Sequence, residues 1–340
     1  ITKGGLLKNI LLVTLALATI LFSDTVLTKM INAVDRIRED NFKVIYGGDD
    51  RRSVHHSKLD AFKVLADSTA VMMESSSIAK IDIPSLVLLV GNSLSKEMGI
   101  CSDSRFASEP AFGLCSGFLI APDLLVTAGH CIASMSACQS NMWVFDYRID
   151  MIGNNGSSYI LRENIYSCVE IVAHKIDIGK GIDYSVIRLD RPTNRPALKF
   201  RREGQIAKGE NLVVIGHPSG VPTKIAGNAQ VRTDDNPYFF KANLDTFGGN
   251  SGSAVFNLES QEVEGVLVRG ERDYIYDRSK KCYVVNNCLD DGCDGEDVVR
   301  ITQLDLPVVL GEVPAREETE TGTVDGEISM AEIVELLEVP

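Results

Sequence analysis

Ser251 stands in Gly248-Gly249-Asn250-Ser251-Gly252-Ser253, a serine hydroxyl wrapped in glycines. Far upstream, His130 closes Thr127-Ala128-Gly129-His130-Cys131 at the end of an apolar hairpin pattern. Between them Asp183 opens the apolar run Asp183-Tyr184-Ser185-Val186-Ile187-Arg188-Leu189. A serine hydroxyl is a poor nucleophile near neutral pH and needs a base to take its proton as it attacks. An imidazole can take and return that proton, and a carboxylate can orient the imidazole and stabilise its cation. A tight glycine turn can aim backbone N–H groups at a developing oxyanion, a role the pattern assigns to Gly249 and Ser251. His, Asp, Ser is also one of the chain orders in which such a triad occurs. The chemistry implied is acyl transfer through Ser251.

Each residue has a plainer reading alone. Ser251 could be a loop serine, His130 a buried histidine beside a disulfide, and Asp183 a surface acid opening a strand. The three together, in this order, argue for one site. Asp177 is the other acid nearby, but a glycine-rich turn follows it, whereas Asp183 leads straight into the strand. His55-His56 lies in a polar stretch and reads as solvated, and His174 and His217 read as structural residues at strand ends. No histidine belongs to a zinc-ligand array. The acidic loop Asp290–Asp297 offers carboxylates that could bind Ca²⁺, but it lacks EF-hand spacing and reads instead as a solvated loop. No metal or cofactor is expected.

The elements around these motifs are short strands. Leu86–Val90, the hairpin of Phe118–Ala121 and Leu124–Thr127, Met142–Tyr147, Cys168–Ala173 and Ser185–Leu189 form a first set. The turn-rich stretch Arg191–Pro196 separates it from Asn211–Ile215, Ala229–Arg232, Gly252–Phe256 and Val263–Val268. Asp60 to Met73 carries mild helical periodicity. The pattern predicts an all-β protein of two packed antiparallel six-stranded barrels, over about 78–190 and about 200–305, with the site in the cleft between them.

These motifs resemble the trypsin-like (chymotrypsin-fold) serine peptidases, and within them the bacterial branch of V8-type glutamyl endopeptidases. The resemblance runs from Val44 to Gln303. It includes Cys115-Ser116-Gly117-Phe118-Leu119-Ile120, the start Val44-Ile45-Tyr46-Gly47, and Gly216-His217-Pro218-Ser219-Gly220. It implies a Cys115–Cys131 disulfide and a serine endopeptidase acting on proteins or peptides. It puts Asp245 and Thr246 at the floor of the primary specificity pocket, with Leu267, Val268 and Arg269 along its wall. An acid at the floor leans towards Lys or Arg substrates. Arg269 is the rival partner for Asp245, and that pairing would favour an acidic substrate. V8-type enzymes carry a histidine on that wall, where this chain has Leu267 or Val268. Asn250 stands where the animal enzymes have the aspartate that pairs with a newly cut N-terminus. Two other readings share the motifs, a catalytically silent homologue that binds peptides or proteins and an esterase.

The hydrophobic fraction is 44% and the net charge −13, which suits a globular chain and argues against nucleic acid. Lys3 and Lys8 precede an apolar run from Ile10 to Phe22, the pattern of a signal peptide over residues 1–23, with an uncleaved anchor as the alternative because no small-x-small cleavage site follows. Residues 24–43 read as a pro-segment, with maturation expected at Lys43-Val44. The expected product is an exported monomer, secreted or periplasmic, with no stable membrane association after signal removal. Cys101, Cys138, Cys168, Cys282, Cys288 and Cys293 then join Cys115 and Cys131 as disulfide formers, with 15 pairings open. Residues 306–340 form an acidic tail: from Gly311 to Pro340 there are nine acidic residues and one basic.

Overall fold

The computed structural model describes residues 44–151 and 158–312. The expected signal peptide and pro-segment and most of the acidic tail lie outside the described residues. Twelve strands form two closed barrels. The first holds β1 (Thr69–Glu74), β2 (Cys115–Ala121), β3 (Leu124–Thr127), β4 (Asn141–Phe145), β5 (Ile165–Asp177) and β6 (Ile182–Leu189). The second holds β7 (Asn211–Gly216), β8 (Lys224–Thr233), β9 (Phe239–Ala242), β10 (Ala254–Asn257), β11 (Val263–Arg269) and β12 (Glu296–Arg300). Neighbours run 1-2-3-6-5-4 around the first ring and 7-8-9-12-11-10 around the second, the same circular order twice. Arg52–Ser53 is added outside the second ring by pairing with β8.

Closure explains the strand composition. A strand in a small barrel turns one face to the filled interior and the other to whatever packs outside. All of Leu124–Thr127 and six of the seven residues of Cys115–Ala121 are buried. Phe118, Trp143 and Phe145 of the first barrel and Phe240 and Phe256 of the second are each 1% exposed or less. Burying one such side chain stabilises the fold by about 1.5–3 kcal/mol.

Two expectations are corrected. The helical pattern over Asp60–Met73 yields an α-helix at Asp60–Leu65 continued by a 3-10 turn at Ala66–Ser68; Thr69–Glu74 is the first barrel strand, so the barrel begins before residue 78. A short apolar run reads equally as buried strand or helix, and here β1 is buried on both faces. Leu86–Leu89 lies outside the ring, in a three-stranded sheet with Ile78–Lys80 and Ser158–Leu161. The disulfides join Cys101 to Cys282, Cys115 to Cys131, Cys138 to Cys168 and Cys288 to Cys293. Residues 306–312 belong to a separate C-terminal unit, whose described part contains the short helix Leu306–Val309.

Candidate active site

His130 and Asp183 meet because of barrel register. β6 pairs with β3 so that Ser185 stands opposite Thr127, and continuing that register brings Asp183 level with the turn that follows β3. His130 sits in that turn, Gly129–Ile132. Its Nδ1 lies 2.7 Å from Asp183 Oδ2, and its backbone N–H donates to Asp183 Oδ1 at 2.9 Å. Asp183 is 6% exposed. Burial works against its ionisation, but the hydrogen bonds and charge of His130 outweigh it, with Arg269 adding, and hold the carboxyl below its usual range. A carboxylate so placed fixes the imidazole by one ring nitrogen and leaves the other for a reacting hydroxyl.

Ser251 comes from the loop between β9 and β10. Its carbonyl accepts the Ser116 N–H at 2.8 Å, which ties it to β2 of the other barrel beside the Cys115–Cys131 bridge. Every other segment of the loop is also held. Gly248 N–H donates to Asp273 Oδ2 at 2.8 Å, Ser116 Oγ donates to Gly249 O at 2.8 Å, and Gly252 N–H donates to Leu267 O at 2.7 Å. Gly249 has φ +88°, and a Cβ there would sit 2.5 Å from His217 O, so only glycine fits the turn. His217 is buried, and burial, followed by the Lys224 charge, pushes its imidazole down to about 3 against the hydrogen bond to Val221 O; it is a neutral strut under the loop.

The expected specificity residues are placed differently. Asp245 lines a cavity of about 440 Å³ with Tyr46, Asp50 and Asn243, none of which is His130, Asp183 or Ser251. Asp245 Oδ1 accepts Tyr46 N–H at 2.8 Å and its Oδ2 accepts Asp50 N–H at 2.9 Å, so the carboxylate caps the segment that begins at Val44. Arg269 does not pair with it; Asp297 and Gly181 O are its partners. Leu267 and Val268 are fully buried, and Leu267 packs in the second barrel's core with Phe240 and Val298, serving the site only through its backbone. Thr246 Oγ1 donates to Glu296 Oε2 at 2.8 Å, and the Glu296 carboxylate lies directly against Gly270.

Ser116, Asp273, Glu296 and Arg51 were not singled out by sequence. Arg51 lies 4.1 Å over the Phe247 ring and is 3% exposed. Ser116, a polar residue in an apolar strand, carried the one usable signal, since a buried hydroxyl must find partners. Among the described residues one His/Cys trio has ligand atoms within 4.8 Å of one another, Cys115, His130 and Cys131. Its two sulfurs are bonded to each other and offer no thiolate.

The chain is 27% identical over 164 residues to a glutamyl endopeptidase of Bacillus licheniformis, covering 45% of this chain and 48% of the relative. It thus spans about half the length of the curated relative it matches. Among solved structures, the active form of the Rv3671c protease from M. tuberculosis is 14% identical with a TM-score of 0.41, covering 83% of this chain and 94% of that one. A Glu endopeptidase in complex with MPD is 18% identical with a TM-score of 0.40, covering 71% and 91%. Residues 115–266, from the first cysteine of the histidine hairpin to the strand behind the serine, match the family model of the trypsin-like peptidase domain. Over these residues the chain is similar to the trypsin-like peptidases.

Proposed function

We propose that this protein is an exported serine endopeptidase that cleaves protein or peptide substrates through an acyl-enzyme. Ser251 Oγ attacks the scissile carbonyl while His130 takes its proton, and Asp183 orients and stabilises the imidazolium. The Gly249 and Ser251 N–H groups receive the oxyanion, each donor of this kind contributing about 2.7–4 kcal/mol to the transition state. His130 then protonates the leaving amine, and a water repeats the attack on the acyl group. The observation that carries this reading is the doubly hydrogen-bonded His130–Asp183 pair on one barrel, with Ser251 fastened to that barrel by its own carbonyl.

The lean towards Lys or Arg substrates moves from Asp245 to Glu296. Asp245 ties down the segment from Tyr46 to Asp50, whereas Glu296, whose oxygens accept from Thr246 Oγ1 and Glu271 N–H, packs against Gly270 at the end of β11. A buried carboxylate there favours a cationic side chain. Four disulfides suit an oxidising compartment, which supports export. No described helix is long and apolar enough to cross a membrane. Maturation at Lys43-Val44 stays part of the proposal. A peptide library cleaved by the wild type and by Ser251→Ala tests the reading: the wild type cleaves and the variant does not. Equal cleavage by the two would remove Ser251 from the mechanism.

A further inference from the structure

One side chain of the second barrel reaches across to the aspartate end of the site. Arg269, the last residue of β11, donates from Nη2 to Gly181 O and from Nε to Asp297 Oδ2, each at 3.1 Å. Gly181 lies in the turn between β5 and β6, two residues before Asp183. Asp297 stands opposite Arg269 on β12, so the guanidinium is anchored on its own barrel before it reaches the other. Gly181 has φ +71°, and a Cβ there would come within 2.9 Å of both Arg269 Nη2 and the Phe239 ring. The turn is therefore nested on second-barrel side chains, and only glycine allows that approach.

The need for such a contact follows from the topology. Each ring is closed on itself, so strand pairing does not fix how one barrel sits on the other. The histidine and aspartate belong to the first barrel and the serine to the second. At the serine end the Ser116 N–H to Ser251 O bond crosses between them. At the aspartate end the crossing bond is Arg269 to Gly181 O. A guanidinium suits it, because its planar fork serves two acceptors at once with little ordering cost.

We propose that Arg269 is a positioning residue: held by Asp297, it clamps the Gly181 turn and so keeps Asp183 and His130 in register with Ser251. This assigns it a role other than substrate contact, although it borders a cleft of about 690 Å³ with Lys241, Glu271 and Arg272. Electrostatics act in the same sense. Burial opposes ionisation of Asp183, and the contacts of His130, then the charge of Arg269, favour it. The proposal rests on the triad reading above.

The test compares Arg269→Lys, Arg269→Met and Asp297→Asn in the full chain, reading kcat and KM on a peptide substrate and the downfield proton resonance of His130 Nδ1–H. Misplacing a reacting group by about 1 Å can cost about 100-fold, so Arg269→Met should lower kcat by about 10- to 100-fold with KM within about two-fold. Its downfield resonance should broaden or shift. Lysine, a point donor, should recover part of the rate, and Asp297→Asn should fall between. If Arg269→Met does not fold, the other two variants carry the comparison. A rise in KM at constant kcat with an altered cleavage profile would make Arg269 a substrate contact and overturn the proposal, as would an unchanged resonance and rate. A wild-type protein that takes no serine-directed probe would sink the hydrolase reading, while the resonance comparison would still decide the clamp.

Discussion

Asp183 holds His130 twice, by ring nitrogen and by backbone amide, so its removal should disturb both the tautomer and the turn. Asp183→Asn is expected to lower kcat by about 10⁴, the loss seen when a triad carboxylate is made neutral. A loss of under ten-fold would mean that Asp183 does not orient the base. The specificity assignment is decided by two substitutions in a peptide-library profile. Glu296→Gln should weaken the preference for Lys or Arg, whereas Asp245→Asn should leave the profile alone and lower the thermal midpoint. The opposite pattern would return the pocket carboxylate to Asp245. These residues also show what a sequence carries. Ser251, His130 and Asp183 were legible because chemistry restricts their types and their neighbours' types. Asp245, Arg269 and Glu296 were not, because a carboxylate or guanidinium in a strand or loop can turn to several partners, and only packing chooses.

Most strands were legible from short apolar runs bounded by turns, and the hairpin of β2 and β3 was nearly complete. The helical pattern over Asp60–Met73 misled because Thr69–Glu74 is buried on both faces and lacks the alternation that marks a half-exposed strand. The segment Val44–Ser53 was read as a mature start, yet its structural role lay in distant partners. Tyr46 and Asp50 bond Asp245, Arg52–Ser53 pairs with β8, and Arg51 stacks on Phe247 just before the serine loop. The Cys115–Cys131 bridge closes a loop of 16 residues under both halves of the site. Replacing both cysteines by serine should cost about 3 kcal/mol in the chain-entropy model. It should also slow probe attachment at Ser251, since Ser116 beside the bridge holds that residue's carbonyl. A urea midpoint unchanged from the wild type would show that the bridge does not support the fold.

Across the whole molecule, folding is coupled to pH through groups of opposite sense. Burial, reinforced by the Asp245 charge and hydrogen bond, pushes the Asp50 carboxyl up from 3.8 to about 8. The folded state therefore holds a proton that the unfolded chain has released, and Asp50 withdraws stability as pH rises from about 4 to about 8. Asp183 acts the other way: its lowered carboxyl contributes stability above the unfolded value of 3.8 that is lost as pH falls through the folded one. His217, lowered from 6.5 to about 3, likewise contributes stability above the unfolded value that is lost as pH falls towards 3. Their slopes overlap, so the difference between Asp50→Asn and wild type isolates the first. In urea melts that difference should be near zero at pH 4 and favour the variant increasingly up to pH 8; a difference independent of pH would show that Asp50 is ionised throughout. The central claim, that two closed barrels bring His130, Asp183 and Ser251 into one competent site, is tested most directly by intact-mass analysis with a fluorophosphonate probe. The account predicts a single adduct on Ser251 that is absent from Ser251→Ala. A folded protein that takes no adduct, or takes it elsewhere, would contradict it.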